Sequence, residues 1–353
     1  MRLINEISLL ASIFIILNVL FTTTETSIFN AGIKGSLIAT ALSAILSFSL
    51  FMTMRKKQQD KSNTYNWVTP YYFMLPAILV LALVVAFPLI YGFYLSMTNM
   101  SLSSFRNPQL IWFNNYLAVF SDPKLLSTVL RTVIWTGINV FFHVAIGLLL
   151  AIQLNRRLPG KAFFRLLLII PWAIPQYVAV ATWKGMFNES FGIINHLLQI
   201  IGVDPIAWLG NPNDTFIASI LTNIWLGFPF MMMIALGGLQ SISRDIYEAA
   251  DIDGIGAWKK FTHITLPLLK PVMVPAIVLG SVWTFNMVNV ILIFAGNQGG
   301  DGSQILVTQV YRLAFSFYRY GFAAAYSVII FILLLIFSFV VVRKSGVLKE
   351  GEL

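Results

Sequence analysis

The sequence predicts an all-α polytopic membrane protein with about eight transmembrane helices, and three observations carry that prediction. Hydrophobic residues make up 58% of the 353 and charged residues only 10%, where soluble domains carry about a quarter, and mean hydropathy is +0.81. The apolar residues come in runs near the roughly 20 residues that cross a bilayer. The charges between those runs are lopsided: with a cytoplasmic N-terminus, sixteen Lys and Arg fall on the inner side and seven outside, the bias that orients membrane proteins. That bias accounts for the net charge of +9 without nucleic acid. A soluble enzyme, a disordered chain and a disulfide scaffold are excluded, the last because the chain has no cysteine.

The expected spans are 4–22, 31–54, 71–97, 125–154, 163–187, 215–240, 271–296 and 321–342. Polar or turn-forming stretches part them, among them Arg55-Lys56-Lys57, Asn107-Pro108, Arg156-Arg157, Asn211-Pro212-Asn213-Asp214 and the glycine-rich 297–302. The first run lacks an evident small-residue cleavage site after Phe21 and reads as a retained span. Residues 1–62 form an N-terminal two-helix membrane unit with its linker, 63–343 the main membrane body, and 344–353 a cytoplasmic tail. An even number of spans puts both termini on one side, the charge bias makes that side cytoplasmic, and the runs make the chain a multi-pass membrane protein.

All fourteen carboxylates fall in loops, at span ends or near the termini, so no acidic group is placed to bind a driving ion at depth. A phosphate-cradling GxxxxGK[ST] loop is also missing. These features disfavour a secondary carrier and a self-contained ATPase. His143, His196 and His263 are dispersed over different elements and assemble no catalytic set with a nucleophile and base, which disfavours a membrane enzyme. His143, inside a span, suits a hydrogen bond between helices.

The segment between the sixth and seventh spans, 241–271, differs in kind. Arg244 to Ile252 reads as a short amphipathic helix stopped by Asp253-Gly254, with Gly254 allowing a turn that a Cβ resists. A second short helix from about Ala257 presents Trp258, Phe261 and Ile264, and Leu266-Pro267 is expected to end it. Two short helices with aromatic and basic side chains suit a groove on a cytoplasmic partner, or an interfacial position on anionic lipid.

Glu248, Ala249, Ala250, Gly254, Ile264, Leu266 and Pro267 resemble, at every position, the EAA loop of binding-protein-dependent ABC importer permeases. Residues 169–195, 223–233 and 285–293 extend the resemblance to the maltose/maltodextrin-type (MalF-like) carbohydrate branch. The resemblance implies a type I permease core of six helices preceded by two extra ones. It also implies a non-catalytic pore subunit whose loop 241–271 couples it to separate ATPases, with those seven residues at the contact. The partners implied are a second permease subunit (MalG-like), an ATPase dimer (MalK-like) that uses ATP and Mg, an extracytoplasmic sugar-binding protein and membrane lipid. No cofactor is implied in this chain. One departure is the loop 98–124, short here where the enterobacterial relative carries a large domain.

The resemblance also places a sugar site at Trp172, Gln176, Asn223, Leu226, Gly227, Phe230, Asn286 and Asn289, with Ser281 or Val282 nearby. The residue types suit a neutral sugar, which needs amides and flat aromatic faces. Asn223, Gly227 and Phe230 share a helix face, as do Asn286 and Asn289 three apart. Pro171 and Pro175 are expected to loosen the fifth span and free backbone groups toward a cavity. The branch has Tyr at the positions of Trp172 and Phe230 and Ser at that of Gln176, so stacking is kept while hydroxyls are lost. The expected cargo is maltose or maltodextrin, with trehalose or a plant-wall oligosaccharide as alternatives. The sequence equally leaves Met231-Met232-Met233 as core or lipid-facing filler.

Overall fold

In the computed structural model the described residues are 74–346, apart from 76, 79, 157 and 297–302. The expected spans 4–22 and 31–54, and the tail beyond 346, lie outside them. Contacts divide the chain after Tyr91 into two units; apart from the first residues of α1, everything described from here belongs to Gly92–Leu353.

The elements in order are α1 (Ala82–Ser96, its first turn wide), α2 (Asn114–Phe120), α3 (Leu125–Asn155), α4 (Lys161–Ala173), α5 (Gln176–Met186), α6 (Ile193–Ile200), α7 (Pro212–Ser241), α8 (Arg244–Ile252), α9 (Ala257–Lys260), α10 (Leu266–Phe285), α11 (Val288–Ala295), α12 (Leu306–Phe315) and α13 (Tyr320–Ser345). Among the described residues the only strand-like pairing is an isolated bridge between Thr98 and Leu110. Among the described residues four apolar stretches are long enough to cross a membrane: α3, α7, Ala257–Ala295 and α13. A fifth, α4 with α5, qualifies only as a pair bent by 92°.

Local sequence explains the ends. Asn211 accepts the Asn213 amide at 3.0 Å and Pro212 opens α7, a side-chain cap followed by a residue with no amide hydrogen to satisfy. Arg343 and Lys344 occupy the last turn of α13, and Gly346 stops it at φ 73°, a cationic turn and left-handed cap.

α3 and α7 form the centre. Gly147 lets them touch: a Cβ there would stand 2.7 Å from the Met232 amide nitrogen. The buried face of α3 is largely polar and small, with Thr128, Thr132, Asn139, His143 and Gly147 beside Trp135. Such residues bring helices together in a membrane by close approach and hydrogen bonding. Trp135 donates to the Thr284 carbonyl at 2.8 Å and the Thr132 hydroxyl receives the Leu306 amide at 2.9 Å, tying α10 and α12 to the same face. Large apolar side chains such as Phe141, Leu149 and Phe339 stay exposed, a surface for lipid.

Two expectations need correction. The expected fifth span 163–187 is not one helix. Pro171 lies inside α4, Ile174 is extended, Pro175 stands just before the next helix, and α5 starts afresh at Gln176, because a proline strips a hydrogen bond and crowds the preceding turn. Leu266-Pro267 does not end the second short helix. The chain passes from α9 through a wide turn, Phe261–Thr265, directly into α10. In that turn the Leu266 amide reaches back to the Phe261 carbonyl, a longer hydrogen-bond ring that eases the clash proline makes in a regular helix.

Candidate functional site

The break between α4 and α5 faces α7 and α10 across a cavity of about 240 Å³. Trp172, Gln176, Asn223, Leu226, Gly227 and Phe230 line it, together with His143, Pro171, Ile174, Met231, Gly280, Trp283, Thr284 and Met287. Six of the eight residues expected at a sugar site therefore share one wall system. None of the lining residues is acidic, Lys or Arg. Ring surface comes from Trp172, 62% exposed, and from Phe230 against Trp283, ring centroids 5.1 Å apart.

Asn223 is 1% exposed. Its carbonyl receives His143 Nε2 at 2.8 Å, while its side-chain Nδ2 has no hydrogen-bond partner. A buried amide without a partner costs about 1–3 kcal/mol, and here it stands at a cavity wall. Gly227, one turn on, makes room for His143: a Cβ would fall on the imidazole ring.

Asn286 and Asn289 are not on the wall. The helix stops at Phe285 and restarts at Val288, so the two asparagines do not share a helix face as their spacing suggested. Asn286 caps α10 by donating to the Val282 carbonyl at 2.9 Å. Asn289 donates to Gln176 Oε1 at 3.2 Å, and Gln176 Nε2 lies 2.6 Å from Met287 Sδ. Ser281 is buried on its own helix, bonded to the Ile277 carbonyl at 2.7 Å, and neither it nor Val282 reaches the cavity.

His143, Trp283 and Met231 are wall residues that sequence reasoning did not select. His143 does hydrogen-bond between helices, as expected, and also lines the cavity. Its signal was its place in the stripe Thr132, Asn139, His143, polar positions on one helix face. Gly280 and Trp283, three apart, share a face of α10, while Met287 comes from the break after it. Met231 and Met232 are core as read, at 1% and 0% exposure, with Met231 also at the cavity, while Met233 is 38% exposed.

The second site candidate is the segment after α7. Ser243 caps α8 through the Asp245 amide. At the far end the Gly254 amide reaches the Asp251 carbonyl at 3.1 Å and the Ile255 amide reaches that of Ala250 at 2.9 Å. Gly254 takes φ 69°. This pair of backward bonds around a left-handed glycine is a Schellman stop. Tyr247 and Thr265 hydroxyls meet at 2.9 Å and Lys260 pairs with Asp251, fixing α8 against α9 and the wide turn. Of the seven residues matched to the loop, Ala250 is buried and Ile264 half-buried; Glu248, Ala249, Gly254, Leu266 and Pro267 are exposed. Ile252 and Trp258 are 87% and 74% exposed.

Comparison with known proteins gives a consistent result. Residues 143–345 match the family model of the binding-protein-dependent transport system inner membrane component. The chain is 34% identical over 276 residues to the trehalose/maltose transport system permease protein MalF of Thermococcus litoralis, covering 77% of this chain and 92% of that one. It is 35% identical over 296 residues to the galactooligosaccharides transport system permease protein GanP of Bacillus subtilis, covering 80% and 71%. Among solved structures, a bacterial ABC transporter involved in import of the acidic polysaccharide alginate aligns with TM-score 0.67 over 83% of this chain and 98% of that one, at 22% identity. That likeness concerns the fold.

Proposed function

This chain belongs to the family of binding-protein-dependent transport system inner membrane components, and from that premise we propose that it is the permease of an ATP-driven importer for a neutral oligosaccharide, with maltose or maltodextrin favoured. It is a multi-pass membrane protein of the sugar ABC importer permease type. The proposed complex holds a second permease subunit, an ATPase dimer that uses ATP and Mg, and an extracytoplasmic sugar-binding protein. Both termini are cytoplasmic in this reading. The relatives that carry trehalose/maltose and galactooligosaccharides support the oligosaccharide class.

The observation that carries the proposal is the cavity: three aromatic side chains, a partnerless buried amide at Asn223 and no charged residue. Rings stack on the apolar faces of a pyranose, the Asn223 amide donates to a hydroxyl, and an acidic sugar would find no counter-charge. At about 240 Å³ the cavity is smaller than the roughly 300–1,000 Å³ of drug-sized sites, so it holds one end of a longer chain. Trp172, Gln176, Asn223, Leu226, Gly227 and Phe230 are the proposed sugar contacts. Asn289 acts through Gln176, and Asn286 through its cap on α10.

In the same reading Glu248, Ala249, Ala250, Gly254, Ile264, Leu266 and Pro267 shape the surface that meets the ATPase. Ile252 and Trp258 supply the exposed apolar anchors that groove binding uses.

The test is uptake of labelled maltose, maltotriose, trehalose and galactobiose into proteoliposomes holding the full complex with ATP inside. ATP-dependent uptake of maltose and maltotriose is expected. Uptake of trehalose or galactobiose alone moves the cargo while keeping the importer, and uptake without ATP overturns the reading. Asn223→Leu should lower the uptake rate about tenfold, the worth of one hydrogen bond made only with cargo bound; an unchanged rate would remove Asn223 from the site.

A further inference from the structure

Two interrupted spans meet at the cavity. One breaks at Ile174 and Pro175, the other at Asn286 and Met287. Beyond the breaks lie the half-helices α5 and α11, which pack on one another. Ala179, Val180, Val290, Ile291 and Phe294 belong to one buried cluster with Phe187, and the Phe187 and Phe294 rings are 5.8 Å apart.

Polar links close this pair at both ends. At the cavity end Gln176 accepts from Asn289 and touches Met287. At the other end Lys184, in the last turn of α5, donates from Nζ to the Ile293 carbonyl at 2.6 Å. That carbonyl is one of the last four of α11, which no amide within the helix can satisfy. The end of a helix also carries partial negative charge that attracts a cation.

We propose that Lys184 is a positioning residue for transport: by tying the end of α11 to α5, it makes the two half-helices a single piece, hinged at both breaks, and holds Asn289 against Gln176. The proposal rests on the oligosaccharide-import reading. A half-helix hinged at one end is free to swing alone. Two joined at both ends keep their mutual register, so the cavity wall formed by Gln176 and Met287 opens and closes as a unit.

The test uses the full importer in proteoliposomes, reading sugar uptake per ATP hydrolysed. Lys184→Met is expected to lower that ratio about tenfold by removing a charged hydrogen bond, and Lys184→Arg to restore most of it. A lysine needed only for folding would lower the amount of assembled complex and leave the ratio unchanged, which would overturn the proposal. A second arm uses the absence of native cysteine in this chain. Lys184→Cys with Ile293→Cys should behave like Lys184→Met until a short thiol-reactive bridge joins the two, and bridging should then restore transport. Transport blocked by the bridge would show that α5 and α11 part during the cycle, against the proposal. Wild-type importer that carries none of the four sugars would overturn the import reading and this proposal together. Wild-type uptake with an unaltered ratio in the variant overturns this proposal alone.

Discussion

Gly254→Val should lower ATP-driven sugar uptake by roughly thirtyfold while the chain still inserts and assembles, the expected worth of about 2 kcal/mol of left-handed strain. Gly254 sits at φ 69°, where a β-branched residue is an outlier. A Cβ there would meet no atom within 4 Å, so the cost is backbone strain rather than collision. Valine relieves it by leaving the left-handed region. That breaks the two backward hydrogen bonds closing α8 and swings Ile252 away from Trp258, the pair proposed to engage the ATPase. Gly254→Ala should fall between, and Gly254→Asn should stay near wild type because asparagine tolerates this conformation. Uptake and sugar-stimulated ATP hydrolysis, measured in parallel, check the series. Asparagine as harmful as valine would refute the backbone explanation, and full activity in the valine variant would remove Gly254 from coupling.

The second large effect is expected at Gly227. In Gly227→Ala the new methyl meets the His143 ring, and that ring is 4% exposed and bonded to the Asn223 carbonyl. A ring pushed aside toward the cavity it lines gives up that bond and fills part of the cavity. Overpacking of this kind costs up to about 3 kcal/mol, which corresponds to roughly a hundredfold in rate. Gly280→Ala is the control: its Cβ meets only the terminal methyl of Met231, the far end of a flexible side chain, and uptake should fall by less than about threefold. Adding His143→Ala to Gly227→Ala should recover part of the loss, because contacting sites couple. Equal damage from the two glycine substitutions, or no recovery in the double variant, would show that the Gly227–His143 fit does not shape the cavity.

Much of this was legible in the sequence because it depends on neighbours along the chain. The long spans follow from summed hydropathy. α8 begins at Arg244 and ends before Asp253-Gly254 as the residue types dictate. Four wall residues, Asn223, Leu226, Gly227 and Phe230, share one face of α7. The misread features depend on partners far away or on a local backbone geometry other than the regular helix. No proline marks the break at Asn286 and Met287; what stands there is a side-chain cap, with Gln176 of another span alongside. Leu266-Pro267 reads as a stop when only a regular helix is considered, and the wide turn before it changes the rule. Lys184 looks like an ordinary loop-end cation until α11 presents its terminal carbonyl. His143 shows its value only when Gly227 is opposite.

The uninterrupted passage from α9 into α10 has a mechanical consequence. Trp258, exposed four residues after Gly254, and Trp283, on the cavity wall, are two points on one rod. The twenty-five steps between them span about 38 Å at the helical rise. Had Leu266-Pro267 ended the short helix, a flexible joint would have stood between these points and absorbed a push. Pro271 and Pro275 lie inside the rod without ending it, so in the proposed reading a displacement at the cytoplasmic end is carried to Trp283 and Gly280 as motion along or about the rod's own axis. In that proposed reading the cargo site and the motor contact are ends of the same lever, and its stiffness sets how tightly one ATPase stroke is geared to one opening of the cavity.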